Sequence, residues 1–209
     1  MLPQKQWYDS STADPEQVKR LCREWNLNQF VAEILLRRGY KTHEEIKSFL
    51  IPELKNLLDP YELRQMREAV NLLQKMIAEN RRIVILGDYD VDGITATALM
   101  LEFLNKCGKL DLDFFIPNRI KHGYGLTEAS TDILLEMRPE LVITVDNGIT
   151  AAQEVKRLND AGIKTIITDH HLADASLLPS GIVVNPNHPE CNYPFKKISG
   201  CGVALKLIM

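Results

Sequence analysis

The chain has 209 residues, a formal net charge of −3, 45% hydrophobic and 25% charged residues, which describes a soluble globular protein of one domain, or one domain with a small appendage. No apolar run approaches the ~20 residues needed to cross a bilayer, and the opening MLPQKQWYDS lacks the basic-then-apolar layout of a secretory leader. The charge balance supplies no global basic field, so any contact with nucleic acid has to come from a local groove or from bound cations.

Residues 1–80 read as a helical N-terminal region. Asp14-Pro15-Glu16 has the form of an N-cap, a first-turn proline and an acid suited to the helix dipole. Phe30, Ile34 and Leu35 recur at helical spacing before Gly39, a C′ candidate. Thr42-His43-Glu44-Glu45 spells a capping box for a short helix reaching Leu50. Leu63, Met66, Val70, Leu73 and Ile77 then form one apolar stripe, which we expect to dock against a sheet. Cys22, Cys107, Cys191 and Cys201 have no Cys-x-x-Cys spacing and read as reduced thiols of a cytoplasmic protein.

From residue 81 onward the pattern alternates. Strand-like runs at 83–86, 112–116, 141–145, 165–168 and 182–184 are separated by helical stretches at 95–107, 127–137 and 151–161. Repeated β-α units predict an α/β domain with a mostly parallel sheet flanked by helices.

What ends each strand carries the chemistry. The first run is followed by Asp88, Asp90 and Asp92, the second by Asn118 and Arg119, the third by Asp146-Asn147-Gly148. The fourth is followed by Asp169-His170-His171 and the fifth by Asn185-Pro186. A parallel sheet brings these ends to one rim, where ligands bind. Acids gathered there repel one another and lose water, a cost that a divalent cation removes. Asp88-x-Asp90-x-Asp92-Gly93 imitates the start of an EF-hand, but the twelfth position is Leu99 and a strand leads in, so a calcium loop is excluded. An acidic turn, a polar His pair and an N-cap at Asp146 are each credible alone. A shared site explains all of them together, and the histidines turn the preference toward manganese, with magnesium possible.

Asp88-Tyr89-Asp90-Val91-Asp92, Val145-Asp146-Asn147-Gly148 and Asp169-His170-His171 resemble the first three motifs of the DHH phosphoesterase superfamily, and within it the RecJ-type single-strand-specific DNA exonucleases. Arg37-Arg38-Gly39, Phe49-Leu50, Ile116-Pro117-Asn118-Arg119, Gly123-Tyr124-Gly125-Leu126, Asn185-Pro186 and the run from Gly200 to Lys206 match as well, so the likeness extends over nearly the whole chain. It implies a two-metal hydrolysis of single-stranded DNA from the 5′ end, releasing 5′-mononucleotides in repair and recombination. Two Mn2+ or Mg2+ ions are the implied cofactors, and a helicase or single-strand-binding protein is a possible partner. The alternatives are a related enzyme of short RNA or small phosphate esters, or a non-catalytic replication scaffold.

Carried over residue by residue, the resemblance puts one ion on Asp90 and Asp146, with Asp88 completing it directly or through water. The other ion falls to Asp92, Asp146 and His170. Other branches place a His where Leu86 stands, which leaves the first ion's outer ligand open. Asp169 is expected to orient a neighbouring imidazole, and His171 to meet the scissile phosphate as donor or as acid. Arg119, Lys121 and His122 are expected to hold phosphates, Tyr124 to stack on a base, and Asn147 and Gly202 to face the nucleic acid. Val203 to Met209 is an apolar helical run without a C-cap, and we expect a domain cut short before a further metal-binding Asp and a closing domain. Such a fragment is expected to fold, to bind manganese weakly or stand metal-free, and to show little or no exonuclease activity.

Overall fold

The computed structural model describes residues 13–209, which divide into two compact units at Leu58/Asp59. The first holds three helices: α1 (Pro15–Trp25), α2 (Gln29–Arg37) and α3 (His43–Leu50). Their boundaries follow local chemistry. Asp14 accepts from the Glu16 N–H with Pro15 in the first turn, and Thr42 and Glu45 form both hydrogen bonds of the capping box. Gly39 follows α2 with φ +90°. The Gly39 N–H donates to Leu36 and the Tyr40 N–H to Leu35, the paired closure of a Schellman cap. Val18, Leu21, Ala32, Leu35, Leu36 and Ile46 make this unit's core.

The second unit, residues 59–209, is built on five strands: β1 (Ile83–Leu86), β2 (Leu112–Phe115), β3 (Leu141–Val145), β4 (Lys164–Thr168) and β5 (Ile182–Val184). They form one parallel sheet in the order β2-β1-β3-β4-β5. The helices are α4 (Met66–Ala78), α5 (Val91–Lys106), α6 (Glu128–Met137), α7 (Ala152–Asp160) and α8 (Gly200–Ile208). Val84, Leu86, Val142, Ile167 and Val183 pack with Leu134 of α6 and Val155 and Leu158 of α7. Because strand side chains alternate, Ile83, Ile85 and Ile143 face the other way, toward the side on which α4, α5 and α8 pack together. β1, β3 and β4 are buried almost throughout, which is why their sequences read as continuous apolar runs.

The compact unit that holds the sheet begins at Asp59. The stripe on α4 belongs to it as expected: Met66, Ala69, Leu73 and Met76 are buried, and α4 packs on β5 and α8. Gln65 adds a tether, accepting from the Val183 N–H at 3.0 Å along the outer edge of β5. Helix α5 begins four residues earlier than expected. Asp90 caps it, accepting from Gly93 N–H at 3.0 Å, so two of the three acids after β1 belong to the helix start.

Candidate metal centre

The chain leaves β1 for β2 on one side, then returns to place β3 on the other side of β1. That reversal makes the carboxyl ends of β1 and β3 the sheet's switch point, where open α/β folds leave a crevice. Asp88 follows β1 there, Asp146 follows β3, and Asp169-His170-His171 follows β4 one strand further on.

Asp88 is fully buried, and neither carboxylate oxygen has a hydrogen-bond partner. Burial, with Asp90 adding repulsion, raises its pKa above the ordinary value. The first turn of α5 lies against it so closely that a Cβ on Gly93 would stand 2.6 Å from Asp88 Cβ. Only glycine fits there. Asp92 points the opposite way along the site, where its two oxygens accept from the Gly200 and Cys201 N–H groups at 2.7 and 2.8 Å. One carboxylate therefore caps the start of α8 and keeps free lone pairs on the centre's side.

Asp146 sits between these groups with φ +65°, a left-handed conformation uncommon for residues other than glycine. It is 1% exposed, and its Oδ1 has no hydrogen bond. His170 Nε2 lies 3.1 Å from that oxygen, at ion-pair distance but outside hydrogen-bonding geometry, and 3.7 Å from Asp92 Oδ2. Burial first, then Asp92 and Asp90, push the Asp146 pKa up to about 8. Asp146 caps no helix, since the N-cap of α7 is Ala151. Gly200 permits the closeness of α8: a Cβ there would stand 2.1 Å from Asp146 Oδ1.

Among the described residues, Asp88, Asp90 and Asp146 each bring a ligand atom within 4.8 Å of the others, and so do Asp146, His170 and His171. Asp146 belongs to both groups. Three buried carboxylate oxygens without a hydrogen-bond partner, next to an imidazole, constitute a ligand set that suits a divalent cation. Carboxylate with imidazole suits Mn2+ and admits Mg2+.

Asp169 is different. It is 1% exposed yet fully bonded, accepting from His171 Nδ1 at 2.7 Å and from the His170, His171 and Ile149 N–H groups at 2.7, 3.1 and 2.9 Å. Burial raises its pKa, but the bonds from His171 and Ile149 outweigh burial and leave it below the ordinary value. The same hydrogen bond raises the pKa of His171. It fixes the ring with Nδ1–H on Asp169, and the Tyr124 hydroxyl lies beside the ring, 3.2 Å from Nε2 and 3.5 Å from Nδ1.

The residues read as nucleic-acid contacts divide. Arg119 and Lys121 are exposed, and the Arg119 guanidinium lies 5.5 Å from the centre of the Tyr89 ring. His122 accepts from the Asn118 N–H through Nδ1 and packs on Phe115, holding its own turn. Asn147 does not face a groove. It is 1% exposed, and its amide donates to the carbonyls of Val145, Gly87 and Leu86 at 2.9, 3.1 and 3.3 Å, tying the ends of β1 and β3 together. Gly202 does not offer its N–H to a phosphate either, because Ser199 Oγ takes it as the cap of α8. A Cβ on Gly202 would meet Ile198 at 2.5 Å, so its place in the sequence answers to packing.

Sequence reasoning missed the supports. Asn185 Nδ2 donates to the His171 carbonyl at 3.0 Å, and Asn187 Nδ2 to the His170 carbonyl at 2.5 Å. Both fix the loop that carries the two imidazoles. The available signal was a pair of asparagines just past a strand end, where a side-chain amide readily takes over backbone bonds.

Residues 82–209 match the DHH family, N-terminal domain. The single-stranded-DNA-specific exonuclease RecJ of Bacillus subtilis is 39% identical over 207 residues, 99% of this chain and 26% of the relative. The corresponding Escherichia coli protein is 35% identical over 172 residues, 82% of this chain and 29% of the relative. Among solved structures, an exonuclease RecJ bound to manganese aligns with a TM-score of 0.66 at 37% identity, covering 73% of this chain and 38% of that one. RecJ in complex with Mn2+ from Thermus thermophilus aligns with a TM-score of 0.68 at 31% identity, covering 95% of this chain and 27% of that one. The chain thus spans about a quarter to a third of the length of these curated relatives. With motifs, parallel sheet and switch-point carboxylates all in agreement, the chain belongs to the DHH family.

Proposed function

We propose that the chain carries the metal-binding centre of a 5′ to 3′ exonuclease that hydrolyses single-stranded DNA and releases 5′-mononucleotides, acting in the cytoplasm in repair and recombination. A helicase or single-strand-binding protein is the partner that would deliver the strand. One observation carries this reading: buried carboxylate oxygens of Asp88 and Asp146 stand without a donor at the switch point, between the loops of β1, β3 and β4. No helix among the described residues is long and apolar enough to cross a membrane.

Asp90 and Asp146, with Asp88, would hold one ion, and Asp92, Asp146 and His170 the other. Two divalent cations held there supply Lewis acidity for phosphodiester hydrolysis and offset the charge of the scissile phosphate. Asp169 holds the Nδ1–H of His171 and, by raising its pKa, favours the doubly protonated ring, whose Nε2–H would give a hydrogen bond or a proton to an oxygen of that phosphate. Arg119 and Lys121 are exposed cations on the loop after β2, suited to the phosphates of one strand.

The test uses the full chain with MnCl2 and labelled oligonucleotides. Single strands should yield 5′-mononucleotides from the 5′ end while blunt duplex persists, and Asp146→Ala should abolish release with the fold retained. Equal rates on duplex and single strand, a preference for short RNA or small phosphate esters, or near-normal turnover by Asp146→Ala would overturn the assignment.

A further inference from the structure

The loop between β2 and α6 reaches the centre through Tyr124. Its flanking glycines both have left-handed backbones, φ +81° at Gly123 and +62° at Gly125. Gly125 also lies against Asn147, where a Cβ would stand 2.7 Å from Asn147 Cβ. Asn147 is itself pinned to three carbonyls, Leu126 is buried, and Ser130 Oγ donates to the Gly125 carbonyl at 2.9 Å. Here the glycines serve close approach rather than looseness. The loop is seated, and it delivers a hydroxyl to a fixed place.

There the Tyr124 hydroxyl donates to the backbone carbonyl of Asp146 at 3.0 Å and lies 3.2 Å from His171 Nε2 and 3.5 Å from its Nδ1. The Tyr124 ring meets His171 edge-on at 5.8 Å and 86°, and Tyr89 edge-on at 6.0 Å and 83°. Thus His171 has Asp169 on Nδ1 and the Tyr124 hydroxyl alongside the ring, within reach of both nitrogens and nearer to Nε2. Asp146 in turn has its left-handed backbone met by the same hydroxyl. One oxygen atom touches both the carboxylate residue shared by the two candidate ion groups and the imidazole assigned to the phosphate.

We propose that Tyr124 is a positioning residue of this centre, acting through its hydroxyl and not through base stacking: it fixes the backbone of Asp146 and the ring of His171 relative to each other. The consequence for catalysis rests on the proposed phosphodiesterase reading; the hydrogen-bonding role does not. Tyr124→Phe keeps the ring and removes only the oxygen, while Tyr124→Leu removes both.

In the full chain with manganese, Tyr124→Phe should lower kcat for single-strand release about tenfold, the effect of one lost hydrogen bond, with KM within about twofold. Tyr124→Leu should lower kcat to a similar extent. Wild-type kcat in Tyr124→Phe, or a raised KM confined to Tyr124→Leu, would overturn the proposal in favour of stacking. A second measurement needs no turnover: in metal-free chain labelled with 15N-histidine, Tyr124→Phe should shift the His171 Nε2 resonance and leave the Nδ1–Asp169 signature in place. An unchanged Nε2 resonance overturns the proposal. If wild-type chain releases no nucleotide, the phosphodiesterase reading fails while this resonance still decides the role of Tyr124.

Discussion

Replacing Asp146 by Asn tests the electrostatics of the centre without disturbing its shape. Asparagine is isosteric and tolerates the left-handed backbone that Asp146 adopts. The folded pKa of Asp146 stands at about 8 against an ordinary 3.8. A carboxyl whose pKa is raised on folding contributes stability that is complete below its unfolded pKa and is lost as pH rises through its folded one. At 1.36 kcal/mol per unit the whole span amounts to about 5–6 kcal/mol. Because the raised carboxyl of Asp88 is part of the same cluster and the two titrations are coupled, we expect about 2 kcal/mol of this to be recovered. Metal-free Asp146→Asn should therefore melt ~4–8 °C above wild type at pH 8, with the gain shrinking toward zero near pH 4. Manganese reverses the order. At a hundred times its Kd it should stabilise wild type by about 2.7 kcal/mol, increasingly so toward pH 8 as Asp146 loses its proton, and stabilise the variant little. Thermal melts from pH 4 to 8, with EDTA or with MnCl2, read both effects. A variant less stable than wild type at pH 8 without metal, or a difference independent of pH, would refute the reasoning.

Two further outcomes follow from the packing around the centre. Gly200→Ala would drive a Cβ to within 2.1 Å of Asp146 Oδ1, so α8 has to shift; we expect a loss of about 2–3 kcal/mol in thermal melts together with loss of the manganese response, and an unchanged melt with an intact response would contradict the geometry. Asn187→Ala removes the donor to the His170 carbonyl and should lower single-strand release about tenfold with a stability loss near 1 kcal/mol; activity within twofold of wild type would show that the His loop holds itself.

The sheet was legible because β1 and β3 are almost wholly apolar and β4 carries an Ile-Ile pair between threonines, each followed by acids or histidines. The order of the strands was not, since no local pattern states that β3 returns to the far side of β1. Asp90 shows a second limit. Read along the chain it is one of three equivalent acids, whereas in the fold it caps α5 while Asp88 is sealed beneath Gly93. Asp92 depends on a partner 108 residues away, beyond the reach of any local rule. Asn147 misled for a related reason: Asp-Asn-Gly reads as a polar turn facing outward, but a left-handed Asp146 turns the asparagine amide inward onto three carbonyls.

That reversal accounts for how the centre tolerates so many unpaired acids. Supporting side chains hold the backbone around it: Thr144 Oγ1 donates to the Asn147 carbonyl and Thr168 Oγ1 to the Thr144 carbonyl, while Asn185, Asn187 and Tyr124 donate to the backbone of His171, His170 and Asp146. Among the described residues, three of the five buried side-chain oxygens without a hydrogen-bond partner belong to Asp88 and Asp146, at the ends of the switch-point strands; the other two are Asn147 Oδ1 and Thr165 Oγ1. A left-handed aspartate and clustered, desolvated carboxylates are each costly by themselves, and they persist only where the surroundings leave no alternative arrangement. The support network removes those alternatives: the carbonyls around Asp146 are held by Tyr124, Thr144 and Asn147, so the residue cannot relax to a right-handed turn without breaking several bonds at once. The acids are thereby kept pointing at one another, an arrangement that a pair of cations would stabilise.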